Sequence, residues 1–179
     1  MGNVLRCFLL LVLTSVFLFV SGCSSQEETA SKNASTFDIT AEQFQSEFTR
    51  IIVADGFGSY EIYDNMIVNN DTGFSVTYYD NTTITCVIDK ETNKISSISL
   101  NSRAEKPNIP FEHGNIYTAL IGVVQPQLNL EERRNFHEDI QKAAVASGVG
   151  KGKIEKENVS YTIEYVADTN SLAATIIPN

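Results

Sequence analysis

Tryptophan is absent, and the 179 residues include only two histidines, three cysteines and four prolines. So few soft ligands leave little from which to build a metal centre. Neither H-E-x-x-H nor a close Cys/His spacing occurs. Basic residues are scarce too, 13 Lys+Arg against 22 Asp+Glu, for a net charge of −9. That imbalance argues against nucleic acid or anionic lipid as a direct electrostatic partner, because both demand a surplus of Lys and Arg. What is present is globular in character: 42% hydrophobic and 20% charged residues, with ten glycines.

Long apolar runs are limited to one. Cys7 to Val20 is 14 residues without a charge, preceded by Arg6. As a helix it would reach roughly 21 Å, short of the ~30 Å hydrocarbon core. A positive start, a short apolar stretch and small residues at its end are the parts of a secretory signal. The end reads Val20-Ser21-Gly22-Cys23, which resembles the lipobox of bacterial lipoproteins. The resemblance implies cleavage between Gly22 and Cys23 and a diacylglycerol on the Cys23 sulfur, the one side chain nucleophilic enough, as thiolate, to attack a lipid donor. Acyl chains on Cys23 would then make membrane lipid the first partner. The chain would sit on a bacterial cell membrane or outer membrane, its domain facing outside the cytoplasm; Ser24, in place of Asp, resembles the outer-membrane sorting signal of two-membrane bacteria.

Loss of residues 1–22 removes Arg6 and no acid, which leaves 12 basic against 22 acidic residues, a net −10. Two or three acyl chains hold a protein on a bilayer without any basic patch. Cys7 leaves with the signal and Cys23 is lipidated, so Cys86 has no partner for an intramolecular disulfide. Residues 23–36 read as the lipidated cysteine and a polar tether, with nothing larger than Ala to bury. Residues 37–179 read as one globular domain.

Within that domain the periodicity predicts α+β, with the order α-β-β-β-β-α-α-β-β-β: a helix followed by an antiparallel meander, twice, with the helices packed on the sheet. Thr40 and Gln43 form a capping box ahead of Phe44, Phe48, Ile51 and Ile52, and Asn129 with Glu132 repeats the signature ahead of Phe136 and Ile140. Strands are predicted over Tyr60–Val68, through Phe74, Val76 and Tyr78, through Ile84, Cys86 and Ile88, over Ile95–Leu100, through Val159–Tyr165 and over Leu172–Ile177. Turns are expected at Asp80-Asn81, Asp89–Lys94 and Asp168-Thr169-Asn170, and a break at Pro107 and Pro110. Tyr79 to Leu100 is similar to the closing hairpin of PepSY-type domains, whose D-x-x-T-G-K-I-like turn here reads Asp89, Thr92, Asn93, Lys94, Ile95. Asn replaces the usual Gly, and no function follows from the resemblance.

Candidate chemistry is thin. Glu112-His113 and His137-Glu138 each pair a histidine with a carboxylate. Neighbours on a helix point in different directions, however, so neither pair chelates alone and both histidines read as surface or cap residues. Cys86, mid-strand and in phase with Ile84 and Ile88, reads as a packed thiol. Gly148-Val149-Gly150-Lys151-Gly152-Lys153 follows a helix instead of opening one, and reads as a helix cap and a flexible turn, not a phosphate loop. The strand tyrosines read as cross-strand pairs with hydroxyls at the rim. No catalytic, metal or cofactor residue is assigned. The expected function is a lipid-anchored, non-catalytic binding or scaffolding domain facing an envelope protein or glycan. The alternatives are an envelope enzyme using Cys86 or His113 and His137, and a small-molecule carrier with a pocket between helices and sheet.

Overall fold

Two capping boxes set the helical layer. In the computed structural model, which describes residues 35–78, 81–103, 111–166 and 171–179 and, of 111–113 and 166, the backbone alone, α1 spans Ala41–Ala54 and α3 spans Leu130–Ala146. At α1 the Gln43 N–H donates to Thr40 Oγ1 (3.3 Å) and the Thr40 N–H to Gln43 Oε1 (2.9 Å). At α3 the Asn129/Glu132 pair does the same at 3.0 and 2.8 Å. Each box satisfies two N–H groups that the helix itself cannot. The signal peptide, the lipobox and most of the tether lie outside the described residues. So do Tyr79, Asp80, the Pro107–Pro110 break and the Asp168–Asn170 turn.

Between these two helices runs α2, Phe111–Val124. It begins before Ile116, where the apolar run starts. Ile116, Tyr117, Ala119, Leu120, Ile121 and Val123 are all buried, and α2 contacts both α1 and α3. A helix apolar on nearly every side belongs in the middle of a layer. α1 buries one stripe only, Phe44, Phe48, Ile51 and Ile52. Each of these side chains stabilises the fold by roughly 1.5–3 kcal/mol on leaving water.

The fold is α+β. Seven antiparallel strands, β1 (Ile67–Asn70), β2 (Gly73–Thr77), β3 (Thr82–Asp89), β4 (Lys94–Arg103), β5 (Lys151–Lys156), β6 (Val159–Val166) and β7 (Ser171–Pro178), form one sheet in the order β1-β2-β3-β4-β7-β6-β5. Phe74, Val76, Ile84, Cys86, Ile98, Leu100, Tyr161, Ile163, Ala174 and Ile176 alternate into the core, the period of two that a half-covered sheet requires. Phe37 is buried, and hydrogen bonds from its N–H to Ile95 O and from Ile95 N–H to Ile39 O bind the approach to α1 to the start of β4. At the β3–β4 turn Asp89 Oδ1 accepts from the Glu91 and Thr92 N–H groups, and Asn93 takes φ +56. Asn tolerates that left-handed conformation better than most residues.

Two predicted segments differ. Tyr60–Val68 is not one strand: Gly58–Tyr60 and Asp64–Met66 are single 3-10 turns, and only Ile67 onward pairs in the sheet. Strand propensity loses here to tertiary contacts. Tyr60 is buried edge-on against Tyr78 (5.3 Å between centroids), and the Tyr78 hydroxyl donates to Tyr60 O at 3.0 Å. The Gly148–Lys153 run is no flexible turn beyond Gly150, because Lys151 opens β5. Gly152 is the reason: a Cβ there would sit 2.4 Å from Ile140 O and 2.6 Å from Ala144 N. Strand and helix backbones meet directly, and only glycine allows it.

Candidate functional site

The first turns of α2 and the middle of α3 diverge to leave a groove of about 480 Å³, lined by Gly114, Asn115, Thr118, Arg134, His137, Glu138 and Gln141. On α3 these are positions i, i+3, i+4 and i+7, one face of a helix. On α2, Gly114 and Thr118 are one turn apart. Gly114 keeps the groove open at its base: a Cβ there would lie 3.0 Å from His137 Cε1.

His137 forms the floor. It is 7% exposed and packs edge-on against Tyr117 at 5.3 Å. Nδ1 lies 3.4 Å from Thr118 Oγ1, and Nε2 lies 3.1 Å from Gln141 Nε2. The Thr118 hydroxyl donates its hydrogen to Gly114 O at 2.7 Å, so Nδ1 must carry the proton and Nε2 must accept from the Gln141 amide. Gln141 gives its other N–H to Tyr165 Oη at 3.0 Å, and its Oε1 accepts from no donor among the described residues. Burial lowers the His137 pKa to about 4, because a desolvated imidazolium is costly. The ring is therefore neutral at pH 7, with both nitrogens engaged. Deeper in, the Tyr117 hydroxyl is buried with no hydrogen-bond partner among the described residues, and the buried Tyr161 hydroxyl faces the Gln125 side chain without a well-formed hydrogen bond. Desolvation raises both phenol pKa values, that of Tyr161 to about 12.

A second polar feature lies one turn before His137 on the buried face of α3. Arg133 makes a two-pronged ion pair with Asp55, the residue that closes α1, at 3.0 and 3.1 Å, with side chains 8% and 7% exposed. Gly122 of α2 provides the space, since a Cβ there would lie 2.7 Å from Arg133 Nη1. The pair ties α1 to α3 across α2. Its chemistry is structural: the fork of the guanidinium is filled by one carboxylate.

Of the described residues considered from sequence, Cys86 and His137 sit on different elements, β3 and α3, and no hydrogen bond joins them. Cys86 is fully buried on β3, and desolvation pushes its thiol well above the ordinary range, away from the reactive thiolate. His137 is buried and bonded, which corrects its reading as a surface or cap histidine. His113 and Glu112 fall in the first turn of α2, and their side chains lie outside the described residues. No group of three or more His, Cys, Asp or Glu side chains that could hold a metal occurs among the described residues, and no described helix is long and apolar enough to cross a membrane. The tyrosines split: Tyr161 is buried with its hydroxyl inside the fold, whereas Tyr165 reaches the rim beside Gln141. Sequence reasoning missed Asn115, Thr118, Arg134 and Gln141. The signal was the polar i, i+3, i+4, i+7 set on an otherwise amphipathic helix. Compared with protein-family models, curated proteins and solved structures, the chain matches none of them.

Proposed function

We propose that this chain is a lipid-anchored lipoprotein of a bacterial envelope whose domain binds a small polar molecule in the α2–α3 groove and does not catalyse. The anchor rests on Val20-Ser21-Gly22-Cys23 and the apolar run before it. Cleavage before Cys23 and acylation of its sulfur would hold the domain outside the cytoplasm on the tether of residues 23–36. The binding role rests on one observation above all: both ring nitrogens of His137 are taken up by Thr118 and Gln141. A general base needs a free lone pair within reach of substrate. A fully bonded neutral imidazole instead supplies fixed polarity at the floor of a groove, and about 480 Å³ lies within the range of small-molecule sites. The depth of Cys86 weighs against a thiol enzyme in the same way.

We also infer that the helix-then-meander unit occurs twice. β4 and β7, the last strand of each meander, pair antiparallel from Ile98↔Ile176 to Arg103↔Ser171, as two units related by a two-fold axis would.

Two measurements test the proposal. Mass spectrometry of the protein from cells is expected to find an N-terminal fragment beginning at Cys23 and carrying diacylglycerol. An unmodified Cys23 removes the anchor. Ligand-observed NMR on the full-length protein in detergent, with pooled sugars, amines, carboxylates and amino acids, is expected to give signals that Asn115→Trp abolishes by filling the groove. If no compound separates wild type from that variant, the groove is not the site.

A further inference from the structure

The groove presents one cation and one anion that do not pair with each other. Arg134 and Glu138 are four apart on α3, about 6 Å between Cβ atoms, and both line the cavity. That spacing permits an ion pair, in the weaker order with the cation N-terminal to the anion. None forms between them, and Arg134 has no partner among the described residues. Among the described residues Glu138 has only Lys142 at 4.0 Å, while Lys142 is closer to Asp139 at 3.1 Å. Across the groove stands the Asn115 amide. Beside Glu138, one turn on, is Gln141, whose two N–H groups are already used on His137 and Tyr165. Its Oε1 is left to accept.

We propose, building on the binding reading above, that this groove takes a zwitterion whose amine and carboxylate are close together: a free amino acid or the termini of a short peptide. The carboxylate is held by the Arg134 guanidinium and the Asn115 amide. The ammonium is held by the Glu138 carboxylate and Gln141 Oε1. His137 takes no direct part; it fixes Gln141 by accepting one amide hydrogen, which turns Oε1 into the exposed acceptor. Other classes fit less well. A plain carboxylate or phosphate would face Glu138, and a plain amine would face Arg134, each with its charge uncompensated at one end. A sugar ring would find no Phe, Tyr or Trp on which to stack among the described lining residues.

The test is titration calorimetry on the full-length protein in detergent with alanine, alanyl-alanine, propionate and propylamine. Alanine or alanyl-alanine is expected to bind at least tenfold more tightly than either singly charged compound, and whichever of the two is tighter identifies the source. Arg134→Gln and Glu138→Gln, both at exposed helix positions, are each expected to weaken the zwitterion roughly ten- to a hundredfold, the worth of a charge-assisted hydrogen bond. Glu138→Gln is also expected to improve propionate relative to alanine. Propionate or propylamine binding as well as alanine, or variants that bind alanine like wild type, overturns the inference. If alanine and alanyl-alanine fail while another pooled compound binds wild type and not Asn115→Trp, the zwitterion falls and the groove stands. If nothing binds, both fall.

Discussion

Acidification from pH 7.5 to 5 is expected to destabilise this protein through His137. Its folded pKa is about 4 because the ring is buried, against about 6.5 in the unfolded chain. Between those values the unfolded state binds the proton and the folded state does not. By linkage, stability from this group is fully present above pH 6.5 and is lost as pH falls toward 4. The separation of about 2.5 pH units corresponds to roughly 3 kcal/mol in full, of which about 2 kcal/mol is gone by pH 5. The perturbed carboxylates act lower. Asp38 hydrogen-bonds Lys94, Glu42 is stabilised by its own backbone N–H and by Thr40, and Asp89 by the Thr92 N–H; all are held below the usual carboxylate range. Their contribution is present above about pH 4 and is lost beneath it. The assay is urea unfolding at pH 7.5, 6 and 5 for wild type and His137→Gln, whose amide can still bond Thr118 or Gln141. Wild type should lose about 2 kcal/mol more than the variant over that interval. Parallel pH profiles would mean that the ring titrates normally, and the buried-neutral assignment would be wrong.

Breaking the Asp55–Arg133 pair by Asp55→Asn or Arg133→Met should cost about 3–5 kcal/mol in chemical denaturation, because the remaining charge is left buried. The double variant Asp55→Leu/Arg133→Met should recover most of that loss. Gly152→Ala should destabilise by at least 1–3 kcal/mol, since its Cβ meets the α3 backbone, which cannot move aside like a side chain; an unchanged melting temperature would show that β5 and α3 are less closely apposed. Cys86→Ala should cost on the order of 1 kcal/mol and leave cellular function intact, whereas a stable variant without function would revive a thiol enzyme. The fragment 37–179 should unfold in one cooperative transition, because Phe37 is the first buried side chain among the described residues and the tether before it adds nothing to the core.

What was legible in the sequence was local. Thr40 with Gln43 and Asn129 with Glu132 announce two helices, because a capping box is formed by residues three apart. Ile84, Cys86 and Ile88, and Val159, Tyr161 and Ile163, announce strands, because alternation is a property of neighbours. What was hidden depends on residues far apart in the chain. β5 has a single large apolar side chain, Ile154, and glycine at the position that touches α3. Tyr60 resembles a strand residue until Tyr78 turns it into the anchor of a 3-10 turn. The groove was hidden for the same reason. Arg134, His137, Glu138 and Gln141 read as the solvated face of an amphipathic helix, and only the facing turn of α2, with Gly114, Asn115 and Thr118, converts that face into a wall.

The adjacent arginines of α3 show how one helix can serve both stability and recognition. Residues 133 and 134 differ by about 100° around the axis. Arg133 therefore points inward, passes over Gly122 and closes on Asp55, while Arg134 lines the groove and has no ion-pair partner among the described residues. Conformational freedom in a binding helix is costly, because each ligand must order it again. The inward pair removes much of that freedom by fixing the start of α3 to the end of α1, and Gly152 fixes its far end to the sheet. Between these two fastenings lie Arg134, His137, Glu138 and Gln141. A substitution that loosens either fastening, such as Asp55→Asn, should then weaken groove binding without touching a groove residue, and should do so in proportion to its cost in stability at the pH of the binding assay.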